Sequence, residues 1–452
     1  MKKIVSFLTV CIMSLCSLIG FSCGDPCKDG HVDADVNYVC DNCMTELEKP
    51  QEPEEPEQSV NPSDENVGSP IFNQISPQEG MSVKLLKDYV QRWVSDYVVS
   101  STTSISTCEY YANNNKECYG DIENGVDDEF YPVPLTIEFS CSDDSAKSFV
   151  VDLATDKNFE KNKVSIETTQ KSIVVENLFV SKTYFWRVTA KFDSKPDEVS
   201  KRYSFSTESG IRTIKVEGVS NTRDLGGGVS KGNKIINLIG TGDKQIKQGL
   251  IYRSASLNDI TSNGRKELVN VLGVKTQIDL RKSSEYSSQP TISGLKHLTI
   301  GTNGAVSIQG AGELSWLYRL PSNSKLNPIL KKELEYFATE TNYPIIFNCS
   351  AGRDRTGCLA FLIKALCGAE KKDLLRDYEF GCFSWFGSNW GREKDGTSQV
   401  DNVLSAVYNA YNEIYYNYEG NTFADKTYSF LLDCGLSSAT LDKIITLNVE
   451  LL

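Results

Sequence analysis

The chain has 452 residues, too many for one ordinary hydrophobic core, so two or three domains are expected. Its formal charge is −13, with 47 Lys and Arg against 60 Asp and Glu, which argues against a nucleic-acid partner and against electrostatic adhesion to anionic lipid. His31 and His297 are its only histidines, so histidine general-acid catalysis is not expected.

Lys2 and Lys3 precede a mostly apolar stretch from Ile4 to Phe21 that ends at Ser22 and Cys23. This is the pattern of a signal peptide over residues 1–22, with Cys23 as the candidate lipid-attachment residue. Ordinary cleavage nearby is the alternative, because Phe21 stands where a lipoprotein signal carries a small residue. No later apolar run approaches transmembrane length, so membrane association is expected through a lipid anchor only.

Residues 23–68 read as a Cys/Asp-rich leader and a stalk. Cys27, His31, Cys40 and Cys43 could hold one zinc, and Asp33, Asp35 and Asn37 are oxygen donors suited to calcium. The segment resembles short Cys/His/Asp repeats on bacterial surface proteins, and a disulfide-bridged stub in an unstructured leader is the other reading. From Glu46 to about Gly68 the chain is rich in Pro and Glu and cannot bury enough surface to fold.

Residues 69–128 read as helical or irregular. Val83, Leu86, Val90, Trp93, Val94 and Tyr97 recur at three- and four-residue steps and predict a helix over Ser82–Val99 with a core-facing stripe. Cys108 and Cys118 bracket a polar loop and could pair. Over residues 129–208 the pattern turns to strands, at Leu135–Phe139, Phe149–Leu153, Ser172–Val175, Tyr184–Val188 and Tyr203–Ser206. Leu178 followed by Tyr184, Trp186 and Val188 resembles the tyrosine-corner region of fibronectin type III sandwiches, which implies an all-β sandwich serving as a spacer or a protein-binding module.

Residues 344–357 hold a short apolar run, Cys349, five residues, Arg355 and the start of a helical pattern. A bare Cys-x5-Arg spacing occurs readily by chance in a chain with this many Cys and Arg; its setting singles this one out. Ile345-Ile346-Phe347 reads as a buried strand, and Leu359, Leu362, Ile363 and Leu366 share one helical face. A strand, a tight loop and a helix N-terminus make an anion cradle, in which backbone N–H groups and an arginine fork hold a phosphoryl group beside the thiol. Cys349 is then the nucleophile, and Ser350, Ala351, Gly352, Arg353 and Thr356 line the phosphate site. Gly352 lets the backbone bend inward. The helix N-terminus, Arg355 and the Thr356 hydroxyl are at hand to stabilise the thiolate, which is the attacking species. Arg355 is expected to bind two phosphoryl oxygens bidentately.

Further segments resemble the bacterial secreted tyrosine phosphatases of dual and lipid specificity. Asn221-Thr222-Arg223-Asp224-Leu225-Gly226-Gly227 is similar to the family's Asn-x-Arg-Asp-Leu-Gly-Gly signature, and Gly249–Ala255 to its Gly-x-x-x-Arg-Ser strand end. Asp279-Leu280-Arg281 matches its Asp-Leu-Arg strand, Asp377-Tyr378 its helix beyond the loop, and Gly435-Leu436-Ser437 its C-terminal helical pattern. The resemblance implies an α/β cysteine-phosphatase domain over residues 209–452, after the β-sandwich, with no cofactor and no metal in the chemistry. It implies Asp354 as the proton donor to the leaving group, with Asp279 the competitor, which could equally brace the loop or pair with Arg281 or Arg253. Asn348, Arg223 and Asp224 are expected to support the site. Asn348 stands where the family has histidine, and Arg353 where it often has lysine; a second cation there would favour substrates with several phosphates.

The expected function is a protein tyrosine phosphatase acting through a phosphocysteine, exported as a surface or periplasmic bacterial lipoprotein. The substrate is a phosphotyrosine protein, or alternatively a phosphoinositide or inositol phosphate. A catalytically silent surface protein with the sandwich as its binding module is a second alternative. Phe380–Gly391, aromatic with interspersed glycines, reads as a lid or as a packed loop.

Overall fold

Among the described residues, nine short strands, β1 (Phe72–Ser76), β2 (Met81–Val83), β3 (Leu135–Cys141), β4 (Ser148–Ala154), β5 (Val164–Thr168), β6 (Ser172–Val175), β7 (Thr183–Lys191), β8 (Glu198–Val199) and β9 (Tyr203–Thr207), build a sandwich of two sheets. One sheet has the order β1-β3-β6 and the other β2-β9-β7-β4-β5, with β8 on β7. The computed structural model describes residues 66–97, 130–281, 285, 292–300, 327–384, 407 and 410–452. The expectations for the leader peptide, Cys23, the cluster of Cys27, His31, Cys40 and Cys43, nearly all of the stalk, the Cys108–Cys118 pair and residues 385–391 lie outside them.

Period-two alternation is what drives the two sheets together. Tyr184, Trp186, Val188 and Ala190 of β7 and Ile137, Phe139 and Cys141 of β3 all point into one core, with Phe149, Val151, Leu153, Tyr203 and Phe205. The Phe179 N–H donates to the Tyr184 hydroxyl at 2.8 Å and fixes the entry into β7.

The sandwich starts earlier than the expected boundary at residue 129. β1 pairs antiparallel with β3, Phe72 opposite Cys141, and β2 lies parallel to β9. Of β1 only Phe72 is buried, so its sequence carries a weak alternation and its pairing with β3 makes it a strand. The helix expected over Ser82–Val99 begins only at Asp88 as α1 (Asp88–Asp96), because Met81–Val83 is taken up by β9. The apolar stripe is divided accordingly. Val83 enters the sandwich core, whereas Leu86, Val90, Trp93, Val94 and Tyr97 enter the core of the α/β part.

The α/β part contains β10 (Arg223–Asp224), α2 (Asn233–Ile239), β11 (Lys244–Ile246), β12 (Ile251–Ser254), α3 (Ser262–Lys266), β13 (Thr276–Asp279), β14 (Lys296–Thr299), α4 (Asn327–Phe337), β15 (Ile345–Asn348), α5 (Asp354–Leu366), α6 (Lys371–Phe380), α7 (Phe423–Asp433), α8 (Ser438–Asn448) and β16 (Val449–Leu451). Its main sheet has the order β10-β12-β15-β13-β14, with β12, β15, β13 and β14 parallel. β15 is the central strand and is covered on both faces, which is why Ile345, Ile346 and Phe347 form an unbroken apolar run. Ser254, Asn348 and Asp279 stand side by side in register at the carboxyl ends of three neighbouring strands, the edge where parallel sheets present their sites. α5, buried from Thr356 to Leu366, runs from that edge through the core.

Both parts belong to one compact unit, Val67–Leu452. Arg212 is the main clamp between them. Its Nε donates to the Leu178 carbonyl at 3.1 Å, Nη2 to the Asn177 carbonyl at 2.7 Å and Nη1 to Asp224 Oδ2 at 2.6 Å. Gln248 adds a two-way backbone pair, accepting from Val180 N at 3.0 Å and donating to Val180 O at 2.9 Å.

Candidate active site

The loop from Cys349 to Arg353 joins β15 to α5. Asn348 anchors its start: fully buried, it accepts from Gln277 Nε2 at 2.7 Å and donates to the Cys349 carbonyl at 3.2 Å. Three successive carbonyls beyond it are tied to the surrounding scaffold. Ser350 O accepts from Ser256 N at 3.0 Å, Ala351 O from Asn221 Nδ2 at 3.0 Å and Gly352 O from Arg253 Nη2 at 2.8 Å. In a trans peptide the N–H points opposite to the C=O, so these ties turn the N–H groups of Ala351, Gly352 and Arg353 away from the scaffold and into the loop. The N–H groups of the first turn of α5, which have no acceptor within the helix, add to them. Gly352 has φ +69°, and a Cβ there would collide with the Ser254 carbonyl, so only glycine fits. Cys349 lies at the floor of this cup, 3 % exposed. Its thiol is free, and Cys358 is fully buried in α5.

Arg355 meets a partner the sequence did not point to. Its Nη1 and Nη2 donate to the two carboxylate oxygens of Glu285, each at 2.9 Å, and Nη2 also reaches Ser350 Oγ at 3.3 Å. Ser350 Oγ donates in turn to Glu285 Oε1 at 3.1 Å. A guanidinium carries five N–H donors, so this ion pair and a bound oxyanion can be held at once. Glu285 is itself tied down, since Arg281 Nη1 donates to its carbonyl at 3.2 Å. Asp279 is the anchor of that arrangement. It accepts from Arg281 Nε at 2.9 Å and Nη2 at 2.8 Å, with His297 Nε2 at 3.6 Å. Burial works to raise its pKa, but the hydrogen bonds from His297 and Arg281 outweigh burial and hold it below the ordinary carboxylate value. Buried and held by Arg281, whose other nitrogen reaches the Glu285 carbonyl, Asp279 is placed to brace the loop.

Residues 214–382 match the tyrosine phosphatase family. A curated protein of Cupriavidus necator, named as a tyrosine-protein phosphatase, is 25 % identical over 182 residues, covering 37 % of this chain and 63 % of its own length. The tyrosine-protein phosphatase of Nostoc commune is 26 % identical over 142 residues, covering 28 % of this chain and 46 % of its own. The chain thus spans less than two thirds of either relative. Among solved structures, the core catalytic domain of the PP-IP phosphatase SIW14 from S. cerevisiae, in complex with citrate, is 22 % identical with a TM-score of 0.23, covering 34 % of this chain and 78 % of that one. By the family match and both named relatives, this segment is similar to the tyrosine phosphatases.

At the rim of the loop, Asp354 opens α5. Its Oδ1 accepts from the Tyr378 hydroxyl at 3.0 Å and lies 3.3 Å from Arg353 Nε. The Arg353 side chain is only 13 % exposed and leans on this carboxylate, so it is not a solvated arginine. Thr356 is fully buried, and its hydroxyl finds no hydrogen-bond partner among the described residues.

Beneath the loop lies Asp377, which receives Arg223 Nε at 3.0 Å and Arg253 Nη1 at 2.6 Å, with Lys364 Nζ at 4.0 Å. Arg223 also donates to the Asp377 carbonyl at 2.8 Å and to the side-chain oxygen of Asn221. Two relays therefore run from one buried carboxylate to the loop: through Arg223 and Asn221 to Ala351 O, and through Arg253 to Gly352 O. Burial opposes ionisation of Asp377, yet Arg223, Lys364 and Arg253 hold it far below the usual carboxylate range. Phe130 and Phe380 lie under the Arg223 guanidinium at 5.8 and 5.9 Å, and Trp93 of α1 packs on Phe380 and Phe383 at 5.9 and 5.1 Å. Phe380 and Phe383, at the start of the aromatic stretch, are thus packed core.

Asp224 is a correction. Expected to support the site, it instead accepts from Arg212, from Gly226 N at 2.8 Å and from Gly249 N at 2.5 Å, which places it at the junction with the sandwich. Its neighbour Arg223 points the other way because successive residues of a strand face opposite sides. Motif spacing singled out Arg223 but gave no role to Asn221, Asp377 or Glu285, and offered Arg253 only as a partner of Asp279, whereas it pairs with Asp377.

Proposed function

We propose that the protein hydrolyses phosphomonoesters through a phosphocysteine on Cys349, with phosphotyrosine proteins as its substrate class. The observation that carries this reading is the cup itself, with three outward-tied carbonyls, inward N–H groups and Arg355 around a buried cysteine. In the first step the Cys349 thiolate attacks phosphorus, the ester P–O bond breaks and the departing oxygen takes the proton of Asp354. In the second, water attacks the phosphocysteine, gives its proton to the Asp354 carboxylate and releases phosphate and thiolate. The N–H groups and Arg355 stabilise the charge on the transferred group throughout. Both named relatives being tyrosine-protein phosphatases supports the aryl substrate. The contact of Arg353 with Asp354 speaks against its service as a second phosphate site, which a phosphoinositide or inositol phosphate would call on.

The sandwich, with its Tyr184 corner contact, is proposed as a fibronectin type III-like module. Lys2, Lys3, the apolar run and Cys23 support export as a lipoprotein. Fatty-acid labelling of the parent and of Cys23→Ala tests this; equal labelling would refute attachment at Cys23.

Turnover of phenyl phosphate, a phosphotyrosine peptide and a phosphoinositide panel, in the presence of a chelator, tests the activity. The parent should act fastest on the peptide, and Cys349→Ser should be inactive. Arg355→Lys should lose about 10²–10³-fold in kcat, because an ammonium cannot reproduce the fork. An inactive parent, or an active Cys349→Ser variant, would overturn the proposal.

A further inference from the structure

Asp377 and Tyr378 are neighbours on α6 and reach the phosphatase loop in different ways. Asp377 holds the loop's carbonyls through two arginines, while Tyr378 reaches the proton-transfer residue directly. The tyrosine ring lies against the first turn of α5: a Cβ on Gly357 would come within 2.6 Å of Tyr378 Cε2 and 2.8 Å of Cδ2. With the ring fixed there, the hydroxyl sits 3.0 Å from Asp354 Oδ1. Arg353 Nε approaches the same oxygen at 3.3 Å. Burial, and then the neighbouring Asp354 carboxylate, push the Tyr378 phenol well above its ordinary value, so it remains a donor throughout the working pH range.

We propose that Tyr378 is a positioning residue for proton transfer, engaging Oδ1 of Asp354 so that Oδ2 delivers the proton to the leaving group and later takes one from water. This deepens the phosphatase reading and rests on the role of Asp354 in it. The geometry supports it in two respects. A phenol donor can bond Oδ1 whether the carboxyl is ionised or neutral, which suits a group that must act first as acid and then as base. A hydroxyl carried on a packed ring also restrains carboxyl rotation, and small misplacements of a reacting group are costly in rate.

Tyr378→Phe removes the hydroxyl and keeps the ring on Gly357. Leaving-group dependence separates proton transfer from general damage, because phenyl phosphate needs the acid and p-nitrophenyl phosphate hardly does. Single-turnover rates of phenol release should fall about 10- to 100-fold on phenyl phosphate and less than about threefold on p-nitrophenyl phosphate, with KM within about twofold. The double variant Tyr378→Phe/Asp354→Asn should be no slower than Asp354→Asn alone. Equal losses on the two esters, a full rate on phenyl phosphate, or multiplicative losses in the double variant would overturn the role of Tyr378 while leaving Asp354 in place. Should Asp354→Asn itself show no leaving-group dependence, the acid assignment fails and this proposal fails with it.

Discussion

Replacing Asp377 by Asn tests the support beneath the loop. The side chain keeps its shape but loses the charge that faces the buried guanidinium groups of Arg223 and Arg253 at 3.0 and 2.6 Å. Breaking a buried ion pair from one side costs about 3–5 kcal/mol, because the remaining charge stays desolvated. Here two arginines are stranded, so the upper part of that range applies, a change of about 10³-fold in the folding equilibrium. For a unit of this size the melting temperature should fall by on the order of 10 °C. The pH dependence has a definite sign. Asp377 is held below its unfolded value of about 3.9, so its stabilisation is present in full above that value and is lost as pH falls toward the folded one. Thermal or urea unfolding of parent and variant from pH 8 to pH 3 should show a constant gap down to about pH 5 that narrows below about pH 4. Coincident unfolding at pH 7, or a gap already closing between pH 7 and pH 5, would refute the reasoning.

Two further outcomes are expected. Glu285→Gln removes negative charge from the Arg355 fork, so inorganic phosphate should inhibit at concentrations lower by up to about tenfold while kcat falls, the guanidinium having lost the partner that fixes it. Weaker phosphate inhibition would count against that assignment. Arg212→Ala leaves Asp224 buried without its cation and two sandwich carbonyls without a donor, at a cost of about 3–5 kcal/mol. Unfolding curves and limited proteolysis near residue 210 should show the two parts separating; an unchanged midpoint would show that the clamp is not needed.

Much of the local architecture was legible before the structure. Ile345-Ile346-Phe347 announced a two-sided buried strand, and the leucines after Thr356 announced the buried helix that follows the loop. The alternation in Tyr184, Trp186 and Val188 announced a sandwich strand. Each of these signals records a single element's own burial, repeated at the period of that element. Cys349 and Arg355 drew attention for the same reason, with five residues between them at the junction of that strand and that helix.

Long-range partnerships leave no such trace. Glu285 stands 70 residues from Arg355 in sequence, and Asp377 124 residues from Arg253 and 154 from Arg223. Only the parallel order β12-β15-β13 brings those strand ends together. The same holds for α1, whose apolar stripe showed that it must be buried but not against what; the fold sends it to the core beneath the loop. The sequence by itself determined the strand, the helix and the tight loop around Cys349 between them, because those follow from local periodicity and backbone geometry. Tertiary structure alone decided that Glu285 holds Arg355, that Asp279 is buried against Arg281 and that Asp354 meets Tyr378, because such pairings depend on neighbours that the chain order does not reveal.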